Sequence, residues 1–386
     1  MQKLRLFLLT LSHFTTDTYA TMLAPVLPLV ILKLGLTNAS AGVLGTVMSL
    51  ASLSQPLMGL GADRMRRRYL LIAGIAMAAI FGPLLGVAPS YWIVVLVLGL
   101  CGIGVSAFHP QSFSLAGDLS GNRRSFGLAL FIFGGTMALG VTPLWITAYA
   151  DRFGLEMLPI VTIPGLILAL IVVRLLPLDN PRVQTQDLAA TWSALAKHAG
   201  PLSIIILVVI LRTVTSLAFG TFLAVLGQER GLTAREAGSI PMSIYQTSGV
   251  VGTLVAGYLA DRVNSRPLVW GSILLASPAL YAYLIFDGWL GLLFLGLGGA
   301  LILSSNSVLV AVAQKMFPEN AALASSLPLG FSWGIAGLSL PLVGYAADHI
   351  GMAETLKYVA LLPIPTAALA LFLPSGSRKE IAEGSS

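Results

Sequence analysis

Apolar residues in this chain come in long runs divided by short polar breaks, rather than in stripes of helical or strand period. The runs fall at 6–32, 40–61, 69–88, 91–115, 124–150, 156–176, 201–227, 235–260, 267–286, 289–314, 320–347 and 352–373. Most reach the roughly 20 residues that a helix needs to cross a bilayer. Strands crossing a membrane would alternate apolar and polar residues over roughly 10 positions, whereas these runs are apolar on every face. The pattern predicts an all-α polytopic membrane protein of about twelve transmembrane helices.

The chain also repeats itself. Gly59-Leu60-Gly61-Ala62-Asp63-Arg64 returns as Gly257-Tyr258-Leu259-Ala260-Asp261-Arg262, 198 positions on. Gly35-Leu36-Thr37 with Ala41-Gly42 recurs as Gly231-Leu232-Thr233 with Ala237-Gly238, and Pro143 recurs as Pro341. Landmarks at a nearly constant offset imply two six-helix repeats in the same order. An even number of spans per repeat makes them parallel, about an axis along the membrane normal. The expected organisation is a first bundle over 1–178, a cytoplasmic linker over 179–200, a second bundle over 201–374 and a mobile tail over 375–386. Within the linker, Leu188, Trp192 and Leu195 share one helical face, which suits either a helix lying on the membrane or a plain connector.

Charge sets the orientation. With the N-terminus in the cytoplasm, 16 Lys and Arg residues fall on that side and 5 on the other, leaving Arg212 inside a span. That asymmetry predicts both termini on the cytoplasmic side of the inner or plasma membrane. Lys3 and Arg5 precede a run too long for a signal-peptide core, so it is read as a retained first helix. The net charge of +6 raises nucleic acid as a partner, but the basic residues are scattered over loops and serve topology instead. Composition agrees: 56% hydrophobic, 10% charged, mean hydropathy +0.88. Lone Cys101 excludes an internal disulfide and an all-Cys metal site.

Charges within hydrocarbon cost about 2.5–3.5 kcal/mol each even on the lenient insertion scale, and persist where they face a cavity or a partner. Four ionisable residues qualify: His13, Asp17, His109 and Arg212. The i,i+4 spacing puts His13 and Asp17 on one helix face, with Asp17 and Arg212 near mid-membrane. Asp17 is read either as a protonation switch or as a static partner of Arg212. Arg212 either binds an anionic substrate through its planar fork of donors or forms that same salt bridge. His13 and His109 have side chains suited to relaying protons; the plainer alternative is a neutral imidazole bonded to a backbone carbonyl, favoured at His109 by the neighbouring Pro110. No thiolates accompany these residues, so no metal is expected, and no other cofactor is implied.

Taken together, the duplicated six-helix pattern and the loop from Gly59 through Asp63, Arg64, Arg67 and Arg68 resemble the major facilitator superfamily, over essentially the whole chain. Arg66 stands where the signature loop of that family carries a glycine. The second copy keeps Gly257, Asp261 and Arg262. A narrower resemblance, to the fosmidomycin-resistance-like exporters, rests on His13-Phe14 with Asp17 and Tyr19, Phe108-His109-Pro110, and Phe133-Gly134-Gly135. Leu98 and Thr142-Pro143 replace an arginine and a Gly-Pro of other drug antiporters. The family resemblance implies a cavity ringed by the first, fourth, seventh and tenth helices, where the four ionisable residues would converge. Gln55, Gln246, Asn306, Tyr149, Trp145 and Trp333 are candidates to line it, with helix packing as the ordinary role for most. The repeated Asp63 and Asp261 are expected to latch the cytoplasmic face, the arginines beside them otherwise serving topology.

The function expected is secondary transport of a small organic molecule by alternating access, by a monomer and driven by protons. The resemblance points to export of a drug-like or phosphonate-like compound; proton-coupled uptake of an organic anion is the alternative. No P-loop is present, and a membrane-embedded enzyme is disfavoured because paired carboxylates, His-Glu-x-x-His and Gly-x-Ser-x-Gly are all missing.

Overall fold

A computed structural model describes residues 1–55, 58, 67–176, 199–260, 262–316 and 330–373. Every described element is helical. The elements are α1 (Lys3–Ala20), α2 (Leu23–Leu34), α3 (Asn38–Ala51), α4 (Arg67–Leu84), α5 (Tyr91–Ser120), α6 (Arg124–Phe153), α7 (Thr162–Leu175), α8 (Ala199–Glu229), α9 (Ala234–Gly238) and α10 (Ile240–Ala260), then α11 (Ser265–Ile285), α12 (Gly288–Met316), α13 (Ser332–Gly337), α14 (Leu340–Ile350), α15 (Met352–Leu361) and α16 (Pro363–Ala370). Seven stretches among the described residues are long and apolar enough to cross a membrane, the first being Lys3–Leu34, which joins α1 and α2. The expected linker core at 177–198 and the tail from 374 lie outside the described residues, as does the start of the eleventh run.

Prolines explain why several runs resolve into two helices. The first breaks at Thr21–Met22, where Pro25 has no N–H to donate one turn back and its ring crowds the preceding backbone. Thr21 closes the end of α1 instead, both its N–H (3.0 Å) and its hydroxyl (2.8 Å) donating to the Asp17 carbonyl. Pro241 follows the break between α9 and α10, Pro341 the break between α13 and α14, and Pro363 opens α16. Pro143, the repeat partner of Pro341, lies inside the unbroken α6.

The repeat is also conformational. Gly35 and Gly231 both take positive φ (60° and 82°), and the residue after each donates to a carbonyl five positions back at 3.0 Å. The threonines two residues after those glycines then cap the next helix: Thr37 accepts from the Ser40 N–H and Thr233 from the Glu236 N–H. The ends of α6 and α14 match as well, at Gly154 and Gly351, with φ 83° and 84°.

Contacts divide the chain into two compact units, Met1–Gln184 with Thr221–Ser243, and Thr185–Gly220 with Ile244–Ser386. In the first, Leu6, Leu9, Ile75, Phe108, Phe131 and Val172 meet in a core built from α1, α4, α5, α6 and α7. Short α9 packs onto α2 and α6 in the same unit, so close that a Cβ on Gly238 would lie 2.1 Å from the Pro25 carbonyl. The second unit has its own core, where Ile205, Val208, Ile273, Leu309 and Ala370 join α8, α11, α12 and α16. Large apolar side chains such as Leu32, Trp92, Trp289 and Leu342 are exposed in both, as lipid-facing surfaces require.

The crossing of α4 and α5 depends on small residues. A Cβ on Gly74 would come within 2.6 Å of the Gly104 carbonyl and 2.8 Å of Phe108. Gly74→Ala is therefore expected to lower stability by about 1–3 kcal/mol through overpacking. A thermal melt of the detergent-solubilised protein checks this, an unchanged melting temperature counting against so tight a crossing.

Candidate functional site

Three of the four intramembrane ionisable groups meet in the first unit. His13 and Asp17 are successive turns of α1, and His109 is carried by α5. His13 Nε2 lies 3.2 Å from Asp17 Oδ2, His109 Nε2 lies 3.3 Å from Asp17 Oδ1, and the two Nε2 atoms are 3.3 Å apart. His13 is buried and the Asp17 side chain is 17% exposed. Asp17 sits one turn before the α1–α2 break, so the carboxylate is borne by the last turn of a helix that ends within the span.

Both imidazoles are oriented by backbone. His13 Nδ1 is 2.8 Å from the Phe131 carbonyl on α6, and His109 Nδ1 is 2.9 Å from the Val105 carbonyl, one turn back on α5. A carbonyl can only accept, so Nδ1 carries the proton in each ring and both Nε2 atoms are turned toward Asp17. The two readings open for His109 in the sequence are thus met by different nitrogens, one bonded to backbone and the other facing the carboxylate. The carbonyl that Pro110 frees is that of Ser106, four residues before it; His109 uses Val105 instead.

Apolar surfaces enclose the cluster. The Phe131 ring stacks on His13 at 4.2 Å and 16°, and Phe108 and Phe113 approach the same imidazole at 6.0 Å. Gly135 on α6 seals one side: a Cβ there would lie 2.4 Å from His13 Nε2 and 2.6 Å from Asp17 Oδ2. Three acceptor-capable groups this close repel one another unless protons lie between them. The three ligand atoms lie within 4.8 Å of one another, a spacing that would also admit a cation. Protons shared at Nε2 would satisfy both His–Asp contacts.

Arg212 on α8, in the second unit, has a different environment. It is fully buried, and its Nη2 donates to Asn306 Oδ1 on α12. Its Nε and Nη1 have no hydrogen-bond partner among the described residues, and it enters no ion pair there. Tyr245 on α10, also buried, donates to the Ser216 carbonyl on α8 at 3.4 Å.

Of the cavity candidates, Gln55, Gln246, Trp145 and Trp333 are partly exposed. Tyr149 is tied to the Met157 carbonyl at 2.9 Å, and its ring meets Trp145 edge-on. Asn306 is engaged by Arg212. Gly59, Asp63, Arg64 and Asp261 lie outside the described residues, as do the side chains of Arg67 and Arg68, whose backbone opens α4. Gly257 lies within α10, and the Arg262 guanidinium rests 3.6 Å above the Tyr258 ring. Sequence reasoning missed the Phe131 carbonyl and the close approach of Gly135. A carbonyl carries no side-chain signal, and Gly135 stood only within a short motif.

A duplicated all-helical membrane fold with a titratable cluster inside one unit defines the class: a multi-pass transporter. Residues 9–338 match the family model of the Major Facilitator Superfamily, and the chain belongs to that family. It is similar to the fosmidomycin resistance protein of Escherichia coli (strain K12), 26% identical over 386 residues, covering 96% of this chain and 93% of that protein. It is also similar to the multidrug resistance protein MdtG of Serratia proteamaculans (strain 568), 26% identical, covering 90% and 87%. Among solved structures, a bacterial homologue of the human lysosomal transporter Spinster matches with TM-score 0.84 at 16% identity, covering 99% of this chain and 98% of that one. A D-xylose–proton symporter matches with TM-score 0.77 at 15% identity, covering 98% and 99%. At those identities the structures speak to the fold.

The tightness at Gly135 can be tested directly. Gly135→Ala is expected to push the His13 imidazole off Asp17 and lower transport flux at least tenfold while the protein remains folded. Flux in proteoliposomes beside a gel-filtration profile checks this; a well-folded variant with undiminished flux would show that the His13–Asp17 contact is dispensable.

Proposed function

We propose that this protein is a monomeric, proton-coupled exporter of small organic molecules, working by alternating access with both termini in the cytoplasm. The observation that carries the reading is the His13–Asp17–His109 cluster. A carboxylate in hydrocarbon costs several kcal/mol unless it has a partner, and marks a functional site by default. Here its partners are imidazoles, the side chains that change charge nearest physiological pH. With both Nδ1 protons committed to carbonyls, further protons are needed at Nε2 or on the carboxylate for the cluster to cohere. Two would bridge both His–Asp contacts; losing them leaves acceptors facing acceptors.

That difference can drive a conformational cycle. A protonated cluster holds α1 and α5 together, and Phe131 and Gly135 of α6 close over it. A deprotonated cluster favours an arrangement that separates the groups or lets water between them. A gradient that loads the cluster on one side and empties it on the other biases that equilibrium, as any ligand with different affinities for two states does. Export as the direction is supported by the names of the relatives, a fosmidomycin resistance protein and a multidrug resistance protein. Asp17 has its imidazole partners within its own unit, which supports the protonation switch over a static bridge to Arg212.

Asp17→Asn is expected to abolish flux driven by an imposed pH gradient in proteoliposomes while substrate counterflow persists. Undiminished gradient-driven flux in that variant would remove the carboxylate from the mechanism. His109→Ala is expected to lower driven flux at least tenfold and to flatten its dependence on pH between about 5 and 8, the range over which imidazoles titrate. A wild-type pH profile for that variant would confine coupling to Asp17 and His13.

A further inference from the structure

Histidines that ligate a metal bind it through one ring nitrogen, while the other donates its N–H to a fixed acceptor that sets the tautomer and the direction of the ring. His13 and His109 are both held this way. Nδ1 of each is engaged by a backbone carbonyl, that of Phe131 and that of Val105, and each Nε2 faces Asp17. Asp17 Oδ1 is buried and accepts no hydrogen bond among the described residues. Three residues on two helices thus turn lone pairs toward one small space.

The spacing of those atoms fits an ion. Tetrahedral zinc binds imidazole nitrogen and carboxylate oxygen at about 2.0–2.2 Å, which sets neighbouring ligand atoms roughly 3.3 Å apart. The separations here are 3.2 Å from His13 Nε2 to Asp17 Oδ2, 3.3 Å from His109 Nε2 to Asp17 Oδ1 and 3.3 Å between the two Nε2 atoms. The sequence argued against a metal for want of thiolates, yet imidazole and carboxylate suffice for zinc. Magnesium and calcium prefer about six or more oxygen ligands, which this cluster does not supply. Charge fits as well. Two neutral imidazoles and a carboxylate are singly negative, so a divalent ion makes the cluster singly positive, as two protons would. Access is one-sided: the Asp17 and His109 side chains keep 17% and 18% exposure and His13 keeps 5%, covered by Phe131 and by the close approach of Gly135. An ion enters from the Asp17 and His109 side, where water can supply a fourth ligand.

We propose that His13, Asp17 and His109 form a binding site for a divalent zinc-like ion, which takes the place of the two shared protons and arrests transport with α1 and α5 held together. This rests on the transport reading above and adds a means of inhibiting it. The ion is a competitor for the cluster, and no step of transport needs it. An ion with three protein ligands binds only the arrangement in which all three converge, so it draws the population into that state and away from the rest of the cycle.

Zinc binding to the purified, tag-free full-length protein, by isothermal titration, tests this without any need for flux. One zinc ion per chain is expected to bind, and neither magnesium nor calcium at the same concentration. His13→Ala and His109→Ala are each expected to weaken zinc binding at least 100-fold, since losing even a supporting partner of a ligand costs about 10–100-fold. His349→Ala, which removes an exposed imidazole on α14, is expected to leave it unchanged. No zinc binding, magnesium bound equally tightly, unchanged affinity in either cluster variant, or loss of binding in His349→Ala would each overturn the proposal. Should the cluster variants fail to fold, cobalt(II) on the wild-type protein decides: the visible spectrum of a four-coordinate ion supports the site, and that of the six-coordinate hydrated ion overturns it. In proteoliposomes saturating zinc is expected to stop gradient-driven flux, and full flux there would overturn the arrest. The outcome is separable from the transport reading. Zinc binding to a protein without gradient-driven flux sinks proton coupling and leaves the site standing; driven flux that Asp17→Asn abolishes, in a protein that binds no zinc, does the reverse.

Discussion

A carboxylate inside a bilayer must be answered by something, and in this protein the answer is two imidazoles. The contacts of 3.2 and 3.3 Å from Asp17 to His13 and His109 fix the packing around them. α1 and α5 must lie side by side for both rings to reach one carboxylate. α6 must come close enough for the Phe131 carbonyl to take the His13 Nδ1 proton. Residue 135 must be glycine, since a side chain there would occupy the space beside Nε2 and Oδ2. The α1–α2 break one turn later, enforced by Pro25 and closed by Thr21, makes the end of the carboxylate-bearing helix a place where the span can bend without breaking a continuous hydrogen-bond ladder.

The two halves of the duplication have diverged at the level that matters for chemistry while keeping their local geometry. Gly35 and Gly231 make the same turn and Thr37 and Thr233 cap the same way, because backbone conformation at a helix junction is set by a few residues that either copy can keep. The intramembrane charges follow no such rule. The first unit gathers a carboxylate with two imidazoles; the second holds a guanidinium that donates to a carboxamide. The local backbone geometry has been kept in both copies while the polar side chains within the spans have not.

Much of the fold was legible in the sequence, since bilayer thickness fixes span length and the repeat offset fixes topology. What the runs could not convey is where a span is cut in two. Pro25, Pro241, Pro341 and Pro363 lie at or next to breaks, whereas Pro143 lies in an intact helix, and the difference depends on packing rather than on the residue. For the site, spacing put His13 and Asp17 on one helix face, and the family resemblance implied that His109 and Arg212 would converge with them; His109 joins them in the first unit. Which nitrogen faces the carboxylate was not readable, because it depends on carbonyls brought from α6 and from one turn back on α5. Nor was the pairing of Arg212 with Asn306, since two residues 94 apart in sequence meet only through the packing of α8 on α12.

The central claim is that the cluster around Asp17 exchanges protons as the transporter works. The most direct measurement is the number of protons released or taken up when a transported substrate is added to purified protein in weakly buffered solution, followed with a pH indicator. A proton change in the wild-type protein that disappears in Asp17→Asn is the predicted result. An identical proton change in both proteins would contradict it.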